Sequence, residues 1–594
     1  MNPIKTVQKI IEATRLFRYA FGRYRLQIIT TAILGFLGGL MGSFGTGSLI
    51  PLFSILTNQK SDDSITAMAR KGFDFLGISF NPIALLLLII FLFIAKSAVI
   101  FAATYLNSTL ANKYQQDTRK KLLRDTLGAN WLFLLNQKLG FVDRVILEDV
   151  PPSSAVLFDV SDSILKLTSI FTYALIAVNI SSTITLVTFL TGGIAFFAMK
   201  PIFYKIRKVS ENISLTGKSA AHYIIENMLG IKTIKAAAIE EQIFKTGSIY
   251  FENLKKNQLK AIIYQCTSNS LFEPLAIIFI SGILLFYYQK PDFNIASFAV
   301  IFYMIQKIFT LIQSTQLKIN SINTNLPYLK IMLDYQRAIK LAREPNPGNG
   351  IFSFKDRLTV KNVSFAYPGY KNSLSDLTFE IKKGEMLGII GPSGAGKTTL
   401  VDILLRLLEP QSGEISIDGI NIKEINRQSW RQNIGYVSQD IFLFNDTIEN
   451  NIRFYNDSLS HEEIDTAAKI ANIYDFIESL PDKFQTIIGE RGVKLSGGQR
   501  QRIVLARVLA RKSSLIVLDE ATSSLDNESE ALIQQTIKNI KNKATLLVIA
   551  HRLSTITNSD RLLVIEDGRI RESGTPTELI ENKESYFHKV SDIT

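Results

Sequence analysis

A glycine-rich segment at residues 391–398, with the sequence Gly-Pro-Ser-Gly-Ala-Gly-Lys-Thr, carries the most specific chemistry in the chain. It follows the apolar run 386–390 and precedes a helical pattern, which is the context that a phosphate-binding loop requires. Backbone N–H groups would bind phosphates, Lys397 would bridge the β- and γ-phosphates, and the Thr398 hydroxyl would ligate Mg²⁺. The predicted nucleotide contacts are Gly391, Ser393, Gly394, Gly396, Lys397, Thr398 and Thr399.

A second apolar run, residues 515–518, ends in the two carboxylates Asp519 and Glu520. Buried carboxylates at the end of a strand need a metal ion or another partner. Asp519 is predicted to hold Mg²⁺, directly or through water. Glu520 is predicted to polarise the attacking water as a general base, because nucleotide hydrolysis needs an oriented acceptor there.

The pentapeptide 495–499, Leu-Ser-Gly-Gly-Gln, is a further glycine-rich segment with many hydrogen-bond donors. It has no evident role in a phosphate site of its own chain. Its backbone donors suggest an anion-binding segment that completes the site of another subunit.

Short apolar runs alternate with helical patterns after residue 350, which is typical of a largely parallel α/β sheet. A turn-rich stretch, Glu-Pro-Asn-Pro-Gly-Asn-Gly at 344–350, cannot continue a helix and predicts a domain boundary. A chain of 594 residues is too long for one ordinary core.

The first half of the sequence has the composition of a membrane domain. Hydrophobic residues make up 47% of the chain, and its mean hydropathy is positive at +0.16. The net charge of +13 is compatible with nucleic-acid binding, but no nucleic-acid motif accompanies it. Lysine and arginine also collect on the cytoplasmic loops of membrane proteins, so we expect membrane lipid and no nucleic acid as a partner.

Six apolar segments are long enough to be considered as membrane spans. They are residues 26–59, 83–107, 155–178, 183–199, 266–288 and 295–315. The long connections 111–154 and 200–265 are rich in Lys and Arg, which places them, both termini and the C-terminal domain in the cytoplasm. Gly35 and Gly39 in the first span have a spacing that permits close helix approach. Pro151 and Pro152 should break or cap the helix that leads into the third span.

The order and spacing of these motifs resemble those of the ATP-binding cassette transporters, in their exporter-type form. The resemblance implies an all-α membrane domain of six long helices at residues 1–340, a linker at 341–350 and an α/β P-loop cassette at 351–594. It also implies roles for residues outside the phosphate loop: Tyr367 stacks on adenine, Gln439 senses the γ-phosphate and contacts Mg²⁺, Asp526 lies in the dimer-contact loop, and His551 is the γ-phosphate switch.

In this family two cassettes pack head to tail. The resemblance therefore implies a homodimer in which the pentapeptide of one copy faces the ATP and Mg²⁺ held by the other. The residues concerned are Ser496, Gly497, Gly498 and Gln499. Because one chain carries every motif, both sites could be active without a second gene product, although a heterodimer stays open.

Charged residues within predicted spans are costly, which makes them candidates for a substrate site. Lys96, Lys166, Lys307 and Glu273 lie at about 20 Å from the predicted outer ends, at about 1.5 Å per residue. We hypothesise a cationic cavity for an anionic lipid headgroup. The alternative is that these lysines extend toward the membrane surface or pair with Glu273.

The sequence thus predicts a half-transporter in a bacterial inner or plasma membrane that exports or flips a hydrophobic or amphipathic substrate by alternating access. Lipid, lipid-linked saccharide, drug and unprocessed peptide stay open as cargo. An importer built on the exporter scaffold also stays open, for a chelated metal or small solute. A soluble mechanical ATPase is disfavoured by the spans, and a receptor that only binds ATP would show no turnover.

Overall fold

A computed structural model describes most of the chain. The described residues are 17–56, 64–75, 77–137, 140–183, 185–187, 190, 193, 200–288, 295–345, 348–369, 373–519, 526–541, 543–550 and 552–591. Contacts divide them into two units. The first contains the residues up to Ala129 together with Phe133–Arg343, and the second contains Asn130–Leu132 and Glu344–Thr594. The second unit thus resumes at Glu344, inside the stretch predicted as a linker.

The first unit is helical throughout its regular structure. Its α-helices are α1 Arg25–Gly47, α2 Leu49–Leu56, α3 Ser64–Phe75, α4 Pro82–Leu127, α5 Trp131–Leu135, α6 Phe141–Arg144, α7 Val150–Ile180, α8 Lys200–Leu229, α9 Ile231–Ala237, α10 Glu240–Ser270, α11 Phe272–Tyr287 and α12 Ile295–Leu341. Helices α4 and α12 have 46 and 47 residues. About 20 residues cross a bilayer, so both helices continue far beyond it, as the sequence predicted.

Four helical stretches among the described residues are long and apolar enough to cross a membrane, at Phe17–Leu56, Pro82–Leu127, Phe141–Ile180 and Phe298–Leu341. These stretches coincide with four of the six predicted spans. Most of the span predicted at 183–199 lies outside the described residues. The span predicted at 266–288 contains a break at Leu271, between α10 and α11.

The first predicted span is confirmed within the stretch Phe17–Leu56, and a turn at Ser48 divides it into α1 and α2. Pro51 has no N–H and cannot bond to a carbonyl one turn earlier, which favours a break at this point. The predicted close approach is confirmed at Gly39, where an added Cβ would lie 3.0 Å from the Cα of Ser169 on α7. Hydroxyl groups reinforce this contact, since Ser43 donates a 3.5 Å hydrogen bond to Thr172.

The two prolines at 151 and 152 lie within one helical stretch, Phe141–Ile180, so neither the predicted break nor the predicted cap is formed. Both lie in the first turn of α7. A π-helical turn, Val145–Asp149, precedes them. The chain therefore changes its helical pitch before the prolines and continues as a regular helix after them.

The second unit contains two sheets. Its strands are β1 Arg357–Phe365, β2 Leu374–Lys382, β3 Met386–Ile390, β4 Ser412–Ile417, β5 Ile420–Asn421, β6 Ile434–Val437, β7 Leu515–Asp519, β8 Thr545–Ile549, β9 Arg561–Glu566 and β10 Arg569–Gly574. The larger sheet has the order β10-β9-β3-β8-β7-β6 and is parallel except for the β9–β10 pair. The smaller sheet has the order β2-β1-β4-β5 and is antiparallel.

Helices pack on the larger sheet, as expected for a mainly parallel sheet whose central strands are wholly buried. The helices of this unit are α13 Lys397–Leu404, α14 Arg427–Gln432, α15 Ile448–Arg453, α16 His461–Ile470, α17 Tyr474–Glu478, α18 Gly497–Ala510, α19 Asn527–Lys541, α20 Leu553–Ile556, α21 Pro576–Glu581 and α22 Tyr586–Ser591. This arrangement is the predicted α/β fold, and it aligns the carboxyl ends of β3, β7 and β6 along one sheet edge.

Candidate functional site

The glycine-rich segment 391–398 connects β3 to α13, as predicted. Gly391 has φ +151°, and an added Cβ there would lie 1.9 Å from the carbonyl oxygen of Ile565. Gly396 has φ +99° and precedes the first residue of α13. Because a side chain fits at neither position, the glycines are what allow the chain to turn directly from the strand into the helix.

Lys397 is the first residue of α13 and only 6% exposed. Its Nζ donates hydrogen bonds to the carbonyl oxygens of Gly391 and Pro392, at 2.8 and 2.9 Å. Ser393, Gly394 and Thr398 are exposed around it. The loop thus holds a buried cation beside accessible hydroxyl and backbone groups, which is the composition of a phosphate-binding site. Thr399 is buried under the helix instead.

Asp519 is the last residue of β7 and only 3% exposed. Tyr436, on the neighbouring β6, donates a hydrogen bond of 3.5 Å to its Oδ2 atom. Burial, and then the charge of Asp519, raise the pKa of Asp402 on α13 to about 6. Two carboxylates therefore lie near one another close to the phosphate loop, where a bound cation would stabilise both.

Gln439 and Tyr367 follow the ends of strands. Gln439 lies two residues after β6, at the same sheet edge as Asp519, and is exposed. Tyr367 follows β1, and its ring packs edge to face on Phe365 with centroids 5.1 Å apart. Its partial burial leaves part of the ring accessible, as stacking on a base would require.

The pentapeptide 495–499 forms the N-terminus of α18. The Ser496 side chain accepts a hydrogen bond from the Gln499 N–H at 3.2 Å, and the Gln499 side chain accepts one from the Ser496 N–H at 2.8 Å. This capping box fixes the first turn of a 14-residue helix. Gly497 and Gly498 form that turn, so their N–H groups point out of the helix end.

Residues near the start of α19 contact the same helix end. An added Cβ at Gly498 would lie 2.1 Å from the Oγ atom of Ser529. Asp526 accepts a hydrogen bond from the Ser529 N–H at 3.1 Å, and this bond lowers the pKa of Asp526. Two other predicted site residues, Glu520 and His551, lie outside the described residues, so their assignment stays a prediction.

The structure brings two of the candidate substrate lysines together. Lys96 on α4 donates a 3.0 Å hydrogen bond to the hydroxyl of Tyr173, and its Nζ lies 5.3 Å from the centroid of the Phe93 ring. Lys307 on α12 is close enough for its charge to interact with that of Lys96. Glu273 lies in α11, but its side chain is outside the described part of the structure.

Lys166 belongs to a different group of charges, which corrects its placement with Lys96 and Lys307. It forms a 2.9 Å ion pair with Asp162, and Lys318 pairs with Asp159 at 3.0 Å and with Asp162 at 3.6 Å. The sequence prediction overlooked both aspartates, although they lie in the same predicted span. The spacing of Asp162 and Lys166 by four residues was the signal, since such residues are neighbours on a helix.

Comparison with known protein families identifies both units. A model described as "ABC transporter transmembrane region" matches residues 28–321, and one described as "ABC transporter" matches residues 374–523. The second match contains the phosphate loop, Gln439, the pentapeptide and Asp519. These two matches together cover most of the chain.

Individual proteins also match long parts of the chain. An "ATP-dependent lipid A-core flippase" of Haemophilus influenzae (strain 86-028NP) is 36% identical over 68% of this chain and 69% of its own length. A putative multidrug export ATP-binding/permease protein of Staphylococcus aureus (strain NCTC 8325 / PS 47) is 30% identical over 96% of this chain and 97% of its own length. An "ATP-dependent lipid A-core flippase" of Vibrio vulnificus (strain YJ016) is 28% identical over 92% of this chain and 95% of its own length.

Among solved structures, a bacterial Atm1-family ABC exporter with ATP bound superimposes with a TM-score of 0.79. The superposition covers 96% of this chain and 98% of the exporter chain, at 24% identity, which is evidence for the fold. The fold, the two family matches and the relatives all indicate the same family. The chain belongs to the ABC transporter family and combines, in one polypeptide, a helical transmembrane region with the ATP-hydrolysing cassette that drives transport.

Proposed function

We propose that this transporter exports or flips an amphipathic, lipid-like substrate by alternating access. The observation that carries the proposal is the fusion of the transmembrane region to a complete phosphate loop and pentapeptide. Relatives named as lipid A-core flippases and as a multidrug exporter support this substrate class. Flux into inside-out vesicles on addition of ATP tests the direction. Movement out of such vesicles would instead favour the importer alternative.

The cassette residues fit ATP with Mg²⁺. The Thr398 hydroxyl, the Gln439 side-chain oxygen and the Asp519 carboxylate are all oxygen donors, the type that Mg²⁺ prefers. When bound, Mg²⁺ would neutralise charge on the β- and γ-phosphates. Lys397 would exchange its hydrogen bonds to the loop carbonyls for phosphate oxygens, and Tyr367 would stack on the adenine.

Hydrolysis needs a group that accepts a proton from the attacking water. We assign this role to Glu520, one residue beyond β7, with His551 and Gln439 contacting the γ-phosphate side. Glu520→Gln should bind ATP and trap a closed dimer with little turnover, because an amide cannot act as the base. Retention of substantial hydrolysis by this variant would refute the assignment, and equilibrium binding of labelled ATP controls for nucleotide affinity.

A homodimer would complete each nucleotide site. The outward-pointing N–H groups at the start of α18 form an anion site by themselves, and the Ser496 capping box holds them in place. In the dimer, Ser496 and Gly498 of one copy would face the γ-phosphate bound by the other. The cassettes and both termini would be cytoplasmic, in a bacterial inner membrane. A heterodimer would require a second chain before any hydrolysis is seen.

The pair Lys96 and Lys307 is the best candidate for contact with an anionic headgroup. The two cations lie near one another on α4 and α12, whereas Lys166 is neutralised by Asp162. Combined Lys96→Gln and Lys307→Gln should abolish stimulation of ATPase activity by phosphatidylglycerol in nanodiscs. Lys166→Gln is the matched control and should retain that stimulation. Unchanged stimulation in the double variant would eliminate this site.

A further inference from the structure

A large apolar cavity lies in the first unit between α1, α3, α4 and α7. Its volume is about 1060 Å³. Residues that define its walls are Met41, Phe44, Met68, Phe73, Phe91 and Ile176. On α4 the lining extends from Ala84 to Leu92, a rise of about 12 Å at about 1.5 Å per residue. The cavity therefore has the length of an extended segment of hydrocarbon chain, and it lies beside the first residues of a membrane-spanning helix.

The polar atoms in the wall are occupied within their own helices. Asn179 donates a 2.7 Å hydrogen bond to the carbonyl oxygen of Leu175, and Ser48 donates one of 2.9 Å to that of Phe44. Since the remaining wall is apolar, the occupant that suits the cavity is hydrocarbon, and inside a bilayer the available hydrocarbon is the acyl chain of a lipid.

Helix α3 closes the cavity on one side and carries charge outside it. Met68, Ala69, Gly72 and Phe73 line the cavity, and Phe73 is only 6% exposed. Arg70 and Lys71 are exposed, and the Arg70 guanidinium lies 5.5 Å from the centroid of the Phe80 ring. Asp74 is also exposed and shares this face, one turn after Arg70, so the three charges sum to +1 (two cations and one anion). A helix with one apolar face and one charged face of net positive charge is suited to the boundary between headgroups and acyl chains.

We propose that this cavity binds one acyl chain of an anionic lipid, whose headgroup contacts Arg70 and Lys71. The inference extends the proposed function, because it adds a lipid-tail site to a transporter for lipid-like substrates. Charge complementarity selects the headgroup and the apolar wall accommodates the chain. Lys96, four residues beyond Leu92 on α4, lies one turn past the end of the cavity wall on that helix.

Gly72 offers a way to fill the cavity without damage to the fold. An added Cβ at this position would meet no atom within 4 Å, so a larger side chain has room to project into the cavity. Leucine also favours a helix more than glycine does. Gly282→Leu on α11 is the matched control, because a Cβ there likewise meets no atom within 4 Å and Gly282 does not line the cavity.

The test uses the full chain in nanodiscs with phosphatidylglycerol that carries a photoreactive diazirine in one acyl chain, without ATP. We expect labelled peptides from Ser64–Phe75 and from residues 84–92, and a reduction of about tenfold or more in Gly72→Leu but not in Gly282→Leu. Thermal unfolding establishes that both variants are folded. Equal labelling of Phe101 and Tyr105, two exposed residues of α4, or unchanged labelling in Gly72→Leu would overturn the site.

A second experiment tests the contact between the lipid headgroup and the two cations. Combined Arg70→Gln and Lys71→Gln should reduce labelling by the phosphatidylglycerol probe several-fold and leave labelling by the matching phosphatidylcholine probe unchanged. Equal loss with both probes, or no loss with either, would overturn the preference for an anionic lipid. Because labelling needs no hydrolysis, it is independent of the Lys96 and Lys307 experiment. Loss of the tail site and failure of the transport proposal are therefore distinguishable.

Discussion

We expect nucleotide hydrolysis to depend directly on Lys397. Its ammonium is buried against the carbonyl oxygens of its own loop, ready to exchange them for phosphate oxygens. We expect Lys397→Ala to lower ATPase turnover by about two to three orders of magnitude, the usual cost of removing one preorganised charge-stabilising donor. Lys383→Ala, at an exposed turn before β3, is the control. Parent-like turnover in Lys397→Ala would contradict the assignment.

Asp418 links cassette stability to pH at the scale of one residue. Its carboxylate accepts hydrogen bonds from the N–H groups of Lys355, Asp356 and Arg357, at 2.6, 2.8 and 3.0 Å. Partial desolvation acts to raise the pKa of Asp418, but these three bonds outweigh it and lower that pKa. The carboxylate therefore stabilises the folded state above about pH 4, the ordinary value, and loses this effect as pH falls through the lowered pKa.

Asp418→Asn tests this dependence, since asparagine tolerates the φ of +50° at this position but carries no charge. We expect the variant to unfold at a lower temperature than the parent at pH 7, with a smaller difference near pH 3.5. Thermal unfolding at the two pH values measures the change. A difference of equal size at both values would show that the charge contributes nothing.

At the scale of elements, we expect the capping box of α18 to contribute both to helix stability and to ATP hydrolysis. A second capping box, formed by Thr575 and Glu578 at the start of α21, has the same geometry outside the nucleotide site. Ser496→Ala and Thr575→Ala should each lower the free energy of unfolding by about 1 kcal/mol. Only Ser496→Ala should also lower ATPase turnover. Equal turnover in both variants would remove the catalytic role of the α18 N-terminus.

The cassette was predictable because its elements are encoded locally. The strand predicted at 386–390 is β3, and the acid-ended run at 515–518 is β7 extended to Asp519. In both cases continuous apolar residues next to glycines or acids identify a buried parallel strand. The capping box of α18 is also encoded locally, because Ser496 is followed three residues later by Gln499.

The membrane unit was less predictable, because its contacts join distant segments. Hydropathy located four of the six predicted spans but could not show that a turn at Ser48 divides the first of them. Nor could it show that Lys318 pairs with Asp159, which is 159 residues away, or that Lys166 lies in that network. The cavity beside α3 arises from packing among four helices, for which a single sequence provides no signal.

At the scale of the whole molecule, the pentapeptide predicts the assembly. If the Ser496 end of α18 faces the phosphate loop of a second copy, cysteines at Ser496 and Ser393 will approach across the dimer interface. Both positions are exposed in one chain. A disulfide requires Cα atoms within about 7 Å, so its formation reports close apposition of the two segments. Cys266, the chain's single cysteine, is exposed and is first replaced by serine.

We expect copies carrying Ser496→Cys, mixed with copies carrying Ser393→Cys, to form a covalent dimer on oxidation. ATP should increase the yield in the Glu520→Gln background, because closure brings the two sites together. Ser458→Cys, an exposed position outside the site, replaces Ser496→Cys in the control. Equal crosslinking in that control, or none between copies when ATP is bound, would contradict the homodimer. Since each copy supplies only one cysteine, every disulfide joins two chains, and a yield above that of the Ser458→Cys control reports that Ser496 and Ser393 meet across the interface.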